Sequence, residues 1–263
     1  YKSRSEIATM RKAAKLSAAA HSELMRTTQS GDAEYQLASR FQHYCQMRGA
    51  SQQAYPSIVG GGNNGCVLHY VENKDALNDG DLVLIDAGCE LDCYASDITR
   101  TFPVNGTFSE PQAQLYQLVL DAQHAAIEQV QVGNHYNDPH EAAVRVLAKG
   151  LIKLGLLKGT LAQVLKNQSY KKFYMHSTGH WLGMDVHDVG DYKIDGHWRV
   201  LEPGMVLTVE PGLYIPVGSK GVAKKWQGIG IRIEDDVVVT KNGPDVLTRD
   251  VPKEIAEIEA LMA

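Results

Sequence analysis

The stretch from residue 82 to residue 102, Leu82-Val-Leu-Ile-Asp-Ala-Gly-Cys-Glu-Leu-Asp-Cys-Tyr-Ala-Ser-Asp-Ile-Thr-Arg-Thr-Phe102, does most to decide the fold. It holds two β-type runs on either side of a turn that we place at Leu91-Asp92. In a hairpin centred there, Asp86 lies directly opposite Asp97, with Cβ atoms about 4.5–5.5 Å apart. Two facing buried carboxylates predict a shared proton or a bound cation. The alternative is one buried, protonated aspartate and one exposed turn residue.

Outward from this stretch, helical spacing alternates with β-type runs. Helices are predicted over Ser5–Met25, Glu34–Arg48, Glu110–Val130 and Asp138–Leu154, with Ser5, Ser109 and Asp138 as caps, and a shorter polar helix and loop over Lys158–Tyr174. Strands are predicted over Leu82–Asp86, Tyr94–Phe102, Val206–Glu210 and Gly230–Thr240, and a glycine-rich turn region over Ser57–Gly65. Two helices precede strands twice, which predicts an α+β fold with two similar halves and a largely antiparallel sheet. No linker divides the halves, so we expect one domain.

Composition excludes several classes of protein. The 263 residues include 26 basic and 31 acidic side chains, a net charge of −5 that argues against a nucleic-acid partner. No apolar run approaches the roughly 18 residues of a membrane span, and no leader typical of secretion opens the chain. Four cysteines in a chain of this length favour reduced thiols and a cytoplasmic protein over a disulfide scaffold.

Three histidines fall within the segment from His176 to Asp188, His-Ser-Thr-Gly-His-Trp-Leu-Gly-Met-Asp-Val-His-Asp. Neutral imidazole is a common metal ligand and a common acid or base. The glycines argue against a helix across His176 and His180, and the glutamate of the helical His-Glu-x-x-His zinc motif is missing. A lone histidine is usually structural, but three in so glycine-rich a stretch favour a site. Which of them is a ligand stays open at this point.

Two glutamates complete the candidate set. Glu210 ends an apolar run, and Glu234 shares a strand face with Arg232. The alternative for Glu234 is a solvated edge strand on which it pairs with Arg232. The candidate ligands are thus two aspartates, two glutamates and one or more histidines. A set rich in oxygen with few nitrogens suits Mn, Co, Fe or Zn rather than a metal that prefers thiolates. Carboxylates that can bridge are what two metals about 3.5–4 Å apart require.

At these residues the sequence resembles the catalytic domain of the pita-bread metallopeptidases, in particular the Xaa-Pro aminopeptidase branch. The resemblance is carried by five ordered stretches, which are Ile85–Gly88, Asp97–Phe102, His176–Asp188, Leu201–Tyr214 and Gly228–Asp235. It implies a single pita-bread catalytic domain over 1–263. Bacterial members usually carry an N-terminal domain before residues that match Ser3–Met10, and we expect that domain to be absent here.

The resemblance also implies roles for individual residues. The implied metal ligands are Asp86, Asp97, His180, Glu210 and Glu234, with Asp97 and Glu234 bridging two divalent ions, most often Mn(II), with Zn, Co or Fe as alternatives. The implied catalytic and substrate-binding residues are His187 at the carbonyl oxygen under attack, His69 and His176 around the substrate and its proline ring, Glu210 as a catalytic carboxylate, and Tyr214 and Arg232 as supports of the substrate pocket. The implied reaction is removal of the N-terminal residue from peptides with proline second, by a hydroxide that bridges the metals.

Three other functions are weighed against this one. Prolidase, which cleaves Xaa-Pro dipeptides, shares the ligands, but Gly228–Arg232 and a short connection from Tyr214 to Trp226 favour the aminopeptidase. Methionine aminopeptidases typically carry His-Glu-x-Pro where this chain has His187-Asp188-Val189. A non-enzymatic peptide-binding relative would usually have lost metal ligands. The partners expected are therefore proline-second peptides, without nucleic acid or membrane, and a homo-oligomer is compatible with the sequence.

Overall fold

The computed structural model describes residues 1–263, in which six helices surround short strands. The helices are α1 (Arg4–Thr27), α2 (Glu34–Gln46), α3 (Glu110–Ile127), α4 (Asp138–Lys153), α5 (Leu161–Lys166) and α6 (Ile255–Met262), with 3₁₀ turns at Gly62–Cys66, Ser169–Lys172 and Lys224–Trp226. The strands are β1 (Gln52–Gln53), β2 (Ile58–Gly61), β3 (Leu82–Asp86), β4 (Cys89–Leu91), β5 (Tyr94–Ala95), β6 (Thr99–Pro103), β7 (Lys193–Ile194), β8 (His197–Trp198), β9 (Val206–Val209), β10 (Gly212–Ile215), β11 (Ile229–Arg232), β12 (Asp235–Thr240) and β13 (Gly243–Val246).

Every strand pair is antiparallel, and the predicted α+β class is confirmed. In the first half, α1 and α2 precede a sheet of order β2-β3-β6; in the second, α3 and α4 precede β13-β12-β9 and β10-β11. The halves are joined at Thr101, whose hydroxyl accepts from the Arg232 amide and donates to the Arg232 carbonyl. The amide of Glu234 donates to the Thr99 carbonyl beside it. These bonds join β6 of the first half to β11 and to the residues that follow it in the second half.

The hairpin register differs from the sequence prediction. Asp86 pairs with Thr99, not with Asp97, because the turn is centred on Asp92 and Cys93. Both turn residues have positive φ, of 49° and 66°, which matches the twist of a two-residue hairpin turn. Asp97 lies in the break between β5 and β6, where the strand predicted as continuous is interrupted.

Other boundaries also shift for identifiable reasons. Helix α1 is capped by Ser3 instead of Ser5, because Ser3 and Glu6 form a reciprocal capping box. The N-cap position of α4 is Asn137, which makes no side-chain capping bond; Asp138, predicted as the cap, is the first helical residue, and its carboxylate accepts from the His135 amide. The glycine-rich turn region predicted at 57–65 contains β2 and a 3₁₀ turn. The strand predicted over 230–240 is interrupted between β11 and β12.

Buried apolar side chains from both halves form one continuous cluster of 54 residues. Phe41 of α2 and Phe102 of β6 belong to it, as do Leu147 of α4 and Ile231 of β11. Neither half therefore keeps a separate core. None of the helices combines the length and apolar character that crossing a bilayer would require.

Candidate metal centre

The acidic side chains of the centre lie where strands end or break. Asp86 is the last residue of β3, and Asp97 precedes β6. Glu210 lies between β9 and β10, and Glu234 lies between β11 and β12. At such points the backbone leaves the ladder of hydrogen bonds, so a side chain no longer has to follow the alternation of the sheet. Residues that are far apart in the sequence can therefore converge.

Three potential ligand atoms lie close enough to hold one metal ion. Single side-chain atoms of Asp97, His180 and Glu234 all lie within 4.8 Å of one another. His180 Nε2 is 3.4 Å from Asp97 Oδ2 and 3.6 Å from Glu210 Oε1. Asp86 pairs with Arg232, whose Nη2 lies 2.6 Å from Asp86 Oδ2, and the charge of Asp97 contributes to raising the pKa of Asp86.

The ring of His180 is held in one orientation. Its Nδ1 donates to the Trp181 carbonyl at 3.0 Å, and its backbone amide donates to Thr208 Oγ1 at 3.1 Å. Because Nδ1 is occupied by a carbonyl, the free Nε2 faces the carboxylates. A hydrogen bond of this kind is what fixes a metal-binding imidazole in its tautomer.

Burial makes the cluster electrostatically costly. Burial raises the pKa of all three glutamate and aspartate side chains that follow. The pKa of Asp86 is raised, that of Glu210 is raised to about 7, and that of Glu234 is raised well above its usual range; neighbouring carboxylates add to each shift. For His180, burial lowers the pKa, but the contacts with Asp97 and Glu210 outweigh it and raise the value to about 9. Arg232 is the one arginine that pairs with any of these carboxylates, and it pairs with Asp86 alone. The site as a whole therefore needs additional positive charge.

The residues fit divalent metal ions. Asp86 Oδ1 is buried and has no hydrogen-bond partner, although its other oxygen is bound by Arg232. A buried carboxylate oxygen without a donor is rare and is satisfied by a cation. Carboxylate oxygens with one imidazole suit Mn, Fe, Co or Zn rather than metals that prefer thiolates.

Two supporting hydroxyls were missed by the sequence analysis. The hydroxyl of Tyr55 donates to Asp97 Oδ1 at 2.5 Å. Thr99 donates to Glu234 Oε2 at 2.5 Å and accepts from Arg232 Nε. Thr99 lies two residues from Asp97 in the run that the sequence predicts as one strand, so the sequence contained a pointer to it. Tyr55 lies on a separate segment, and nothing in the sequence connects it to Asp97.

The centre opens into a cavity of about 730 Å³. His176, His180, His187 and Glu210 contribute to its lining. The sequence analysis missed its aromatic and basic wall, which consists of Tyr136, Tyr192, Lys193 and Trp198. The ring of Tyr136 packs against those of Tyr192 and Trp198, with distances between ring centroids of 4.7 Å and 6.2 Å.

Two of the predicted substrate histidines, His176 and His187, line this opening. Burial lowers the pKa of His176 to about 3, so its ring is neutral at pH 7; Nδ1 donates to Ser177 O and Nε2 accepts from the Tyr214 hydroxyl at 2.8 Å. Burial and the charge of His180 lower the pKa of His187, whose ring lies 4.4 Å from that of His180. His69 is exposed and lies on the segment that follows the 3₁₀ turn at Gly62–Cys66.

Tyr214 and Arg232 lie beneath these histidines. Tyr214 is fully buried and Arg232 is 4% exposed. The hydroxyl of Tyr214 accepts from Arg232 Nη1 at 3.1 Å and donates to His176. The pair therefore joins the histidine wall to Asp86. Glu234 is 2% exposed, which excludes the solvated edge strand considered for it.

Known proteins resemble this chain in both sequence and structure. The profile of metallopeptidase family M24 matches residues 8–241. The Xaa-Pro aminopeptidase of Haemophilus influenzae is 51% identical over 99% of this chain and 60% of its own length. The structure of Pseudomonas aeruginosa aminopeptidase PepP superposes with a TM-score of 0.99 at 58% identity, over 100% of this chain and 59% of that one. Escherichia coli aminopeptidase P with the inhibitor Pro-Leu superposes with a TM-score of 0.97 at 48% identity, again over 100% and 59%. The chain thus spans about 60% of the length of the relatives it matches.

Proposed function

The chain belongs to metallopeptidase family M24, and from that premise we propose that it removes the N-terminal residue from peptides whose second residue is proline. The observation that carries the proposal is the cluster of Asp97, Glu210, Glu234 and His180, of which Glu210 and His180 line a cavity together with two further histidines. The named relatives, which are 48–51% identical to this chain, support the choice of reaction. Buried apolar residues shared by both halves support one catalytic domain over 1–263.

The family implies divalent metal, and we propose Mn(II), with Zn, Co or Fe as alternatives. Asp97 and Glu234 would be shared between two ions. Asp86 would complete one site, and His180 with Glu210 the other. When bound, such ions lower the pKa of coordinated water and polarise the carbonyl that is attacked. The unpartnered Asp86 Oδ1 and the excess of buried negative charge support this assignment.

The chain's own residues bind the peptide and move protons. His187 would donate a hydrogen bond to the oxygen of the carbonyl before proline, where negative charge develops. Glu210, half-buried at the cavity, would take a proton from the attacking water and return one to the proline nitrogen as the peptide bond breaks. His69 and His176 would contact the substrate and its proline ring. Tyr214 and Arg232 would hold His176 and Asp86 in place.

The ligand of one relative supports the selectivity for proline. Pro-Leu, the inhibitor bound by the E. coli protein, has a proline at its free N-terminus. It therefore has the form of the product left after a residue is removed from Xaa-Pro-Leu. Burial leaves the ring of His176 neutral at pH 7, and a neutral ring can pack against an apolar pyrrolidine without a charge to desolvate.

We further propose a cytoplasmic location. All four cysteines are free thiols in the structure, and Cys45 and Cys89 are buried. Proteins in a reducing compartment keep their thiols in this state.

The deciding experiment compares three peptides with the metal-loaded protein, namely Ala-Pro-Ala, Ala-Pro and Ala-Ala-Ala. We expect release of alanine from Ala-Pro-Ala and far slower release from Ala-Ala-Ala. Cleavage of Ala-Pro alone would instead make the protein a prolidase. No cleavage of any peptide, with no metal retained after dialysis, would make it a peptide-binding protein. Asp97→Asn serves as the inactive control.

A further inference from the structure

Glu34 is a buried carboxylate that the proposed reaction does not use. It is 0% exposed and occupies the first position of α2. No lysine or arginine lies within salt-bridge distance of it. The helix start favours a negative charge at this position. Burying the charge without a cation is nevertheless costly unless hydrogen bonds satisfy it.

Four donors satisfy the carboxylate, and all of them come from the segment 61–75. Oε1 accepts from the Gly61 amide at 2.8 Å and from Asn64 Nδ2 at 3.0 Å. Oε2 accepts from the Tyr70 hydroxyl at 2.7 Å and from the Asp75 amide at 3.0 Å. One side chain thus binds the segment at both ends and in its middle.

Between these anchors the segment has little other regular structure. After the 3₁₀ turn at 62–66, residues 67–75 form neither helix nor strand, and Val67, His69 and Val71 are exposed. A loop of this kind is normally among the most mobile parts of a protein. The bonds to Glu34 supply most of the order that secondary structure does not, and Asn73 adds two bonds, from the Val59 amide and to the Ser57 carbonyl.

The anchored residue next to His69 also packs on the candidate site. Tyr70 is 4% exposed and belongs to a small apolar cluster with Ile58, Leu84 and Tyr214. Tyr214 in turn bonds to His176 and Arg232. The position of Tyr70 is therefore fixed from two sides, by Glu34 and by Tyr214.

We propose that Glu34 is a positioning residue, which orders the segment 61–75 through Tyr70 and its other donors and thereby fixes the position of His69, the residue next to Tyr70. The proposal rests on the proposed function, because His69 is expected to contact substrate. Glu34 acts through His69 and touches neither substrate nor metal. It should therefore govern substrate binding more than the rate of the chemical step.

The kinetic test uses the metal-loaded protein with Ala-Pro-Ala and the variants Glu34→Gln, His69→Ala and the double variant. An amide in place of the carboxylate turns one acceptor into a donor that faces donors. We expect Glu34→Gln to raise KM about tenfold, with kcat changed less than about threefold and metal content unchanged. In the His69→Ala background the same change should cost less than about twofold. The proposal would be overturned if Glu34→Gln raised KM about tenfold in both backgrounds, or if it left the kinetics of the otherwise unaltered protein unchanged.

Two further arms keep the test decisive. Glu72→Gln is the matched control, because Glu72 is an exposed carboxylate in the same segment, and it should behave as the unaltered protein does. Tyr70→Phe removes a single donor beside His69 and should raise KM in the same direction, by about threefold, if Glu34→Gln does not fold.

Hydrogen exchange separates this proposal from the proposed function. Amides of residues 62–75 should exchange faster in Glu34→Gln than in Glu72→Gln, while the rest of the chain is unchanged. That result supports ordering by Glu34 even if the unaltered protein cleaves no peptide, in which case only the proposed function fails. Equal exchange in this segment would overturn ordering by Glu34 whatever the activity.

Discussion

Arg232 Nη2 donates to Asp86 Oδ2 at 2.6 Å, which links two residues that are 146 positions apart and belong to different halves of the fold. The bond occupies one oxygen of Asp86 and leaves Oδ1 buried without a partner. Because Arg232 is itself 4% exposed, its orientation is set by Thr99 and Tyr214 and not by solvent. The free oxygen of Asp86 therefore indicates that a cation other than Arg232, such as a metal ion, binds in the same cluster.

Removal of metal gives the first prediction. We expect two divalent ions per chain, and near-complete loss of peptidase activity in excess chelator. Metal at 100 times its dissociation constant should stabilise the fold by about 2.7 kcal/mol, which raises the melting temperature by roughly 5–10 °C. Elemental analysis and thermal melts with and without chelator measure both effects. Full turnover with no metal detected would contradict the two-metal site.

Asp97→Asn gives the second prediction. An amide cannot supply charge to two metals, so this variant should lose its bound metal. Its activity should fall by more than about 100-fold, because loss of a group that only supports a ligand already costs about 10–100-fold. The fold should change little. Asp188→Asn is the contrast, because Asp188 pairs with Lys2 at 2.8 Å and should not affect metal content. Normal metal occupancy in Asp97→Asn would show that Asp97 is not shared between ions.

The third prediction concerns pH and the metal-free protein. The pKa of His180 is raised to about 9, so its contribution to stability is fully present below about pH 6.5 and is lost as pH rises through about 9. The pKa of Glu210 is raised to about 7, so its contribution to stability is also lost as pH rises, between about pH 4.5 and 7. Metal-free protein should thus become less stable from pH 5 to 9.

Metal binding should counter this trend, because the ions displace the protons that His180 and Glu210 hold. Titration calorimetry at pH 7 in two buffers of different ionisation enthalpy should reveal proton release on metal binding. The release should decrease in His180→Gln. Binding without any proton release at pH 7 would show that the metal does not displace a proton from His180.

Tyr55→Phe gives the fourth prediction. The change removes only the hydroxyl that donates to Asp97 Oδ1, and it keeps the ring. Loss of such a support should weaken metal binding by about 10–100-fold. Competition with a chelator of known affinity measures the change. Tyr35→Phe, at an exposed site on α2, is the control and should leave metal affinity as it was. Equal affinities in the two variants would show that Tyr55 does not tune the centre.

The sequence predicted the strand 82–86 and the four main helices because their periodicity is a local property. It misplaced the hairpin centre, since Cys93 adopts a positive φ that is uncommon outside glycine, asparagine and aspartate. The approach of Asp86 to Asp97 was inferred from a register that the structure does not have. They share one cluster because Asp97 lies in a strand break.

Contacts between distant segments were beyond reach of the sequence. Tyr55 and Glu34 act through hydrogen bonds to residues 42 and 36 positions away, and no spacing rule connects such pairs. Glu34 also looked ordinary at the start of an amphipathic helix, where an acidic residue is expected on electrostatic grounds alone. Its burial depends on how the segment 61–75 folds back onto α2.

The fifth prediction separates a catalytic from a structural role for His187. The residue is exposed at the cavity, and its ring lies 4.4 Å from that of His180 at an interplanar angle of 83°. It forms no side-chain hydrogen bond to Asp188, whose carboxylate instead pairs with Lys2. Its removal should therefore cost little stability.

His187→Ala should accordingly retain both metals and its melting temperature but lose about 10²–10³ in kcat, the range for loss of one donor to a developing oxyanion. KM should change less, because the bond strengthens only as charge develops on the carbonyl oxygen. His43→Ala, at an exposed site on α2, is the control for loss of an imidazole and should turn over normally. If His187→Ala unfolds or loses metal while its folded fraction keeps a normal kcat, His187 is a structural residue or a ligand. A fall in kcat with intact metal content would instead place its imidazole at the carbonyl oxygen.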